Sequence, residues 1–224
     1  MNASPPDPAM PRTPAPVPTG LDPIALARRR AAFPIVVSGP SGVGKTVIVQ
    51  HLLAQDRTLT NSVSATTRPI RPGEQDGVHY HFYPEPRFQE LIQANGFLEW
   101  ARVHDHFYGT PTAPLEANLA RGTGVVLNID VQGGKNLRAA RPDTLLIFIV
   151  PPSLPELEKR LRSRGTDSPT DIERRLANAR GELAEAVNYD YLVVNDSVER
   201  AGREILTLVE AERRRFRRLA DAPA

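Results

Sequence analysis

The sequence predicts an α/β fold with a parallel sheet flanked by helices, a small mostly-β insertion and a helical lid. Three observations carry that expectation. A short apolar run, Ile35-Val36-Val37, feeds straight into a glycine-rich loop. Four apolar runs of strand length, Pro34–Val37, Val125–Ile129, Leu145–Val150 and Tyr191–Val194, are interleaved with helix-like stretches, the pattern of buried parallel strands. Residues 60–112 break that alternation and are richer in Thr, Tyr, His, Phe and turn residues.

The loop after the first run reads Gly39-Pro40-Ser41-Gly42-Val43-Gly44-Lys45-Thr46. It is the Gly-x-x-x-x-Gly-Lys-Thr pattern of a P-loop in its required strand-to-helix context, so the core is expected to be that of a P-loop NTPase. Its glycines allow successive N–H groups to face phosphate oxygens, and the following helix adds the positive end of its dipole. Lys45 suits the β- and γ-phosphates, and the Thr46 hydroxyl suits Mg²⁺.

Residues 1–32 are expected to form a disordered tail. Eight of the 22 prolines fall in its first 24 positions, where large apolar residues are few. A Pro-rich docking peptide is the functional alternative for this segment. The folded domain is expected over 33–219, with 60–112 as an inserted subdomain, 153–187 as a lid region and 220–224 as a C-terminal tail. Within the insertion, Val78–Tyr83 and Phe97–Val103 read as extended. Ser153-Leu154-Pro155-Glu156 reads as a capping box, and Ser168-Pro169-Thr170-Asp171 as a weaker one. Pro86 and Pro114 suit first turns of helices, and Gly96 and Gly122 their ends.

Composition narrows the function classes. At 224 residues the chain is long enough for a core without cross-links, and it has no cysteine, which excludes disulfides, thiolate metal sites and a Cys nucleophile. A net charge of +2 gives no support to bulk binding of nucleic acid or membrane. The basic stretch Arg213–Arg218 reads as the solvated end of a final helix, with a nucleic-acid patch as the alternative. With no membrane-length apolar run and no signal-peptide pattern, a cytoplasmic protein is expected. A homo-oligomer is left open.

Further residue groups suit phosphate chemistry. Asp130 follows a buried strand, the Walker-B position for Mg²⁺ or its water. Arg68 and Arg71 lie three apart in a Pro-Gly segment and suit a bidentate phosphate clamp, or else a solvated basic loop. Glu99 stands in Phe97-Leu98-Glu99-Trp100-Ala101, where a buried carboxylate needs donors, from a base or from a salt bridge. Arg160 and Arg164 fall on one helical face, with Arg174 and Arg175 following, and suit a lid closing over phosphates or an ordinary basic surface.

These pieces, in this order, resemble the guanylate kinase family over nearly all of residues 33–212. The signatures are Gly39-Pro-Ser-Gly-Val-Gly-Lys45, Ser64-Ala-Thr-Thr-Arg68-x-x-Arg71-x-Gly-Glu74, Phe97-Leu-Glu-Trp100, Tyr108-Gly-Thr110, Ile129-Asp-Val-Gln-Gly133, Pro151-Pro-Ser153, Arg164-Gly165 and Val194-Asn-Asp196. The resemblance implies a P-loop core, a GMP-binding subdomain and a lid, with ATP and GMP (and dGMP) as substrates and Mg²⁺ as cofactor. It implies that Arg68, Arg71, Tyr80 and Tyr108 hold the monophosphate, while Ser64, Glu99, Thr110 and Asn128 read guanine. It places Gly39–Thr46 and Asn195 at ATP, Thr46 and Asp130 at the metal, and Lys45, Arg160, Arg164 and Arg175 at the transferring phosphoryl group. An ionised monophosphate needs no strong general base, so catalysis reduces to positioning and charge neutralisation.

Two positions depart from the family pattern. Position 128 is usually an acid, whereas Asn128 offers one acceptor and an NH₂ that cannot pair with guanine's N–H donors. His79 stands where an acid is common. Two rivals remain, a catalytically dead scaffold module and a kinase for phosphorylated sugars. The intact P-loop argues against the first, and Ser64, Glu99 and Thr110 argue against the second.

Overall fold

The computed structural model describes residues 22–27, 29–103, 105–163 and 169–221. The chain opens with a short helix α1 (Pro23–Ala27), then β1 (Pro34–Ser38), α2 (Lys45–Gln55) and β2 (Leu59–Asn61). The insertion contains β3 (Ala65–Thr66), β4 (His81–Phe82), α3 (Glu85–Gln93), β5 (Phe97–Val103) and β6 (His106–Pro111). The main layer resumes with α4 (Thr112–Ala120), β7 (Gly124–Asn128), α5 (Val131–Ala140) and β8 (Leu145–Val150). After the paired helices α6 (Leu154–Ser163) and α7 (Pro169–Ala184) come a 3₁₀ turn (Glu185–Asn188), β9 (Tyr191–Val194), α8 (Val198–Arg213) and α9 (Phe216–Asp221).

The five-stranded sheet has the order β2-β7-β1-β8-β9 and every pairing in it is parallel. Its central strands are apolar throughout because both faces are covered, and alternate residues feed two cores. Ile35, Val37, Val126, Ile147 and Ile149 pack with Ile48, Leu52, Ile205 and Val209 of α2 and α8. Val36, Val125, Leu127 and Leu146 pack with Leu115 and Leu137 of α4 and α5. The carboxyl ends of β1, β7, β8 and β9 therefore lie along one edge, where open parallel sheets bind ligands.

The second sheet, β4-β3-β6-β5, is mixed, with β5 and β6 forming an antiparallel hairpin. Between Phe97 and Glu99 the register slips by one residue. The bulge lets Leu98 pack toward the Leu115–Leu137 core while Glu99 stays opposite Thr110. On the sheet's other side Phe88 of α3 is fully buried and stacks on Phe97 (4.3 Å) and Phe107 (5.6 Å).

The structure corrects the expected boundaries in four places. Leu26 and Ala31 are buried in the main core, and the Ala31 N–H bonds the Arg213 carbonyl, so residues 22–32 are not tail. Leu59–Asn61 joins the main sheet beside β7, so the insertion begins after it. The residue that ends α3 in left-handed conformation is Asn95 (φ 51°), not Gly96. Asn95 and Gly96 donate to the carbonyls of Ile92 and Leu91, closing a Schellman motif, and Gly122 ends α4 in the same way. At the other end, α9 runs through Asp221, past the expected boundary at 219. Ser153 caps α6 by accepting from the Glu156 N–H (3.2 Å). Residues 1–21, Arg164, Ser168 and residues 222–224 lie outside the described residues.

Because Phe88 is the buried anchor between α3 and the second sheet, Phe88→Ala is expected to destabilise the protein by about 3–5 kcal/mol. Urea unfolding followed by circular dichroism checks this, with a loss below about 1 kcal/mol counting against the anchor.

Candidate functional site

The loop after β1 is shaped by what surrounds it. Gly39 has φ 140°, and a Cβ there would collide with the Ile149 carbonyl oxygen of β8. Gly44, at φ 101°, begins α2, and a Cβ there would lie 2.6 Å from Asn195 Nδ2. Asn195 is buried behind the loop and donates its amide to the Val43 carbonyl at 2.7 Å. Arg160, reaching from α6, donates to the Asn195 carbonyl (3.1 Å) and is held by Glu156 (3.3 Å). Lys45 Nζ bonds the Gly39 carbonyl at 2.6 Å and the Pro40 carbonyl at 3.2 Å. Pro40, Ser41, Gly42 and Val43 thus sit in one loop between β1 and α2, with Thr46 exposed in the first turn of α2.

Facing it is a cavity of about 200 Å³ lined by Ser64, Tyr80, Glu99, Tyr108, Asn128 and Asp130, among others. The second sheet supplies one wall, and the carboxyl end of β7 with α5 supplies the other. Glu99 is buried at its back and accepts a 2.6 Å hydrogen bond from the Thr110 hydroxyl. Desolvation pushes the Glu99 carboxyl up from 4.5 to about 7, against the pull of the Thr110 bond, and nearby Asp130 adds to the rise. Tyr80 and Tyr108 meet edge to face at 6.1 Å.

Asn128 joins the two halves. It lines the cavity, and its Nδ2 donates to Thr46 Oγ1 at 3.2 Å. The NH₂ that had no use toward guanine therefore has an acceptor inside the protein, which leaves Oδ1 as the group for a ligand donor.

Arg68 lies behind this cavity. It is 7% exposed and makes two bonds to Glu74, Nη1–Oε2 at 2.7 Å and Nη2–Oε1 at 2.6 Å. Its guanidinium lies 5.0 Å from the Tyr80 ring and 5.4 Å from Phe82. Hydrogen bonding to Arg68 leads the effects that pull the Glu74 carboxyl down from 4.5 to about 2. Arg71 is exposed, and its backbone N–H also bonds Glu74 at 2.8 Å. Glu74 sits inside the quoted motif, yet nothing in its spacing signals that it fills the Arg68 fork. His79 Nδ1 accepts from the Gln75 N–H (3.0 Å), which commits that nitrogen to the turn.

Asp130 caps α5, accepting from the Gly133 N–H at 2.8 Å, and also borders the cavity. Arg175 is half buried on α7, on the face shared with Ile172 and Ala179, whereas Arg174 points outward and pairs with Asp171 (2.7 Å). A larger cavity of about 440 Å³ opens at the opposite end of the strands, near Phe33, Leu119, Arg141 and Arg218. There Arg141 is paired with Asp143 and Arg218 with Glu212, so the chemistry belongs to the carboxyl-end site. Among the described residues no helix is long and apolar enough to cross a membrane.

Comparisons with known proteins identify the family. The family model for guanylate kinase matches residues 31–212. The guanylate kinase of Sphingopyxis alaskensis is 47% identical over 198 residues, covering 88% of this chain and 89% of the relative. That of a Thermus thermophilus strain is 48% identical over 187 residues, covering 84% of each. The crystal structure of guanylate kinase from Anaplasma phagocytophilum superposes with a TM-score of 0.69 at 30% identity, over 86% of this chain and 92% of that one. The chain therefore belongs to the guanylate kinase family.

Proposed function

We propose that this protein transfers the γ-phosphoryl group of ATP to GMP, giving ADP and GDP, and that dGMP is a second acceptor. The observation that supports the reading is the Asn128–Thr46 bond, which links a cavity of about 200 Å³ with a buried carboxylate to the first turn of the helix after the P-loop. Residues 62–111 act as the acceptor subdomain and 153–187 as the lid. Glu99 and the Asn128 oxygen accept from guanine N1–H and N2–H₂, and Ser64 and Thr110 complete the base site. Tyr80, Tyr108, Arg68 and Arg71 hold the monophosphate, with Arg68 exchanging its Glu74 partner for phosphate oxygens. Lys45 leaves the loop carbonyls for the donor's β- and γ-phosphates, and Arg160 and Arg175, with Arg164 by resemblance, approach when the lid closes. Closure excludes water, which would otherwise accept the phosphoryl group.

Mg²⁺ fits the residues present. Thr46 and Asp130 offer hard oxygen donors, and no group of three or more His, Cys, Asp or Glu among the described residues could hold a metal alone. That suits an ion carried in on phosphates with few protein ligands and several waters. When bound it neutralises charge on the β- and γ-oxygens. We place the reaction in the cytoplasm.

An ADP-release assay with GMP, AMP, UMP and ribose phosphates tests the reading. Turnover is expected with GMP far above the others and is expected to vanish on chelation of Mg²⁺. No turnover with GMP would sink it, and would favour the scaffold alternative.

Glu99 makes the acceptor site pH-dependent. Its folded-state value is raised, so the ionised form that guanine requires is scarce at pH 6 and dominant at pH 8. The GMP KM is expected to fall about tenfold over that interval, and the dependence is expected to be lost in Glu99→Gln. The same sign governs stability without ligand. The folded protein holds the Glu99 proton more tightly than the unfolded chain, so stability falls as pH rises from 4.5 through about 7. Urea unfolding should therefore find Glu99→Gln more stable than the parent at pH 8, by about 1–3 kcal/mol, and similar near pH 4.

Asn128→Asp gives the oxygen that faces guanine a negative charge, and is expected to lower the GMP KM by about threefold to tenfold at pH 8. An unchanged KM would mean that Glu99 and the single Asn128 oxygen already satisfy the base.

A further inference from the structure

Helix α7 brings one more group to the phosphate loop. The Glu182 carboxylate accepts a hydrogen bond from the Ser41 backbone N–H at 3.3 Å, across 141 residues of chain. Ser41 lies between Gly39 and Gly44, in the segment whose positive-φ glycines turn amides toward an anion. A carboxylate oxygen has the charge and the acceptor capacity of a phosphate oxygen, so such a cradle accepts either. Glu182 is half buried; burial raises its carboxyl above the usual carboxylate range, while the Ser41 amide and then Lys45 pull it back toward the ionised form. The family signatures assign this residue no part.

We infer that Glu182 is a resident anion of the donor-phosphate site, holding the Ser41 amide until a donor phosphate enters and displaces it. The inference rests on the reading of this loop as the donor site. Its consequence reaches the lid. Helices α6 and α7 pack together through Leu157, Leu161, Ile172 and Ala179, and Leu161 also rests on Gly42, where a Cβ would lie 2.6 Å from its Cδ2. The same helix pair carries Arg160 and Arg175. Releasing Glu182 loosens one tether of that pair on the loop, so donor occupancy and lid position share a single contact.

Calorimetric titration of the full chain with ADP, with and without Mg²⁺, tests this. Binding of ADP to the parent protein tests the donor-site reading by itself, and no binding would overturn that reading whatever Glu182 does. Glu182→Gln keeps the side chain's shape and removes its charge. It is expected to tighten ADP about fivefold in both conditions and to leave GMP affinity unchanged. Glu185→Gln removes the same charge three residues on, from a side chain bonded to Asn188 and not to the loop, and is expected to leave ADP affinity unchanged. Glu182→Ala gives the same comparison if the Gln variant does not fold. Unchanged or weaker ADP binding in the Glu182 variants, or equal tightening in Glu185→Gln, overturns the inference. Weakening seen only with Mg²⁺ overturns it too, by assigning Glu182 to the cation.

Discussion

The close approach of the phosphate loop to the neighbouring strand ends is the constraint on which the rest of the site depends. Gly39 has no room for a Cβ beside the Ile149 carbonyl, and Gly44 has little beside Asn195. Asn195 and Arg160, both far away in sequence, complete the clamp through Val43 and the Asn195 backbone. The loop is therefore shaped by β8, β9 and α6 together, and those elements are held in turn by the apolar packing of β1 between β7 and β8. A phosphate cradle of this kind needs no flexibility in the loop itself, because motion can be confined to the helices that cover it.

The acceptor side is built on the opposite principle. It does not rest on a deeply layered core but on a small sheet sealed by Phe88, and its key group is a carboxylate placed at a cost. The one-residue bulge at Leu98 fixes Glu99 against Thr110 and leaves it with one hydrogen-bond donor where an ionised carboxylate wants several. The strain is electrostatic, and under the proposed function guanine's ring donors would relieve it. A base without donors at those positions would leave the carboxylate unsatisfied, and on the proposed reading that would discriminate against adenine and pyrimidines.

Much of this was legible in the residues. The strands β1, β7 and β8 announce themselves because each is a continuous apolar run, as burial on both faces requires, and the edge strand β9 is equally apolar although it leaves Leu192 exposed. Strands β2, β3 and β4 are two or three residues long and exist through pairing with partners distant in sequence, so no periodicity marks them. Leu26 and Ala31 were hidden in a proline-rich segment whose composition outweighs two buried side chains. At the site, Glu99 stood out because a carboxylate among Phe, Leu and Trp is anomalous. Glu74, six residues from Arg68 in a turn-rich segment, and Glu182, on an ordinary polar helix, had no such signal. Their contacts are set by tertiary geometry alone.

Those two carboxylates share one logic. Arg68 is nearly inaccessible, and a buried guanidinium with no partner would be costly, so Glu74 occupies its fork at 2.6–2.7 Å. The Ser41 amide faces the same problem on a smaller scale, and Glu182 answers it. Each phosphate that enters would thus replace a carboxylate instead of filling a void. Its net binding free energy is the difference between two anions, not the full strength of the contacts it makes. Only a ligand that is more highly charged, or that brings several oxygens at once, gains from the exchange. Phosphate meets both conditions and a lone carboxylate or chloride meets neither, so under the proposed function the resident anions would sharpen selectivity for phosphoryl groups.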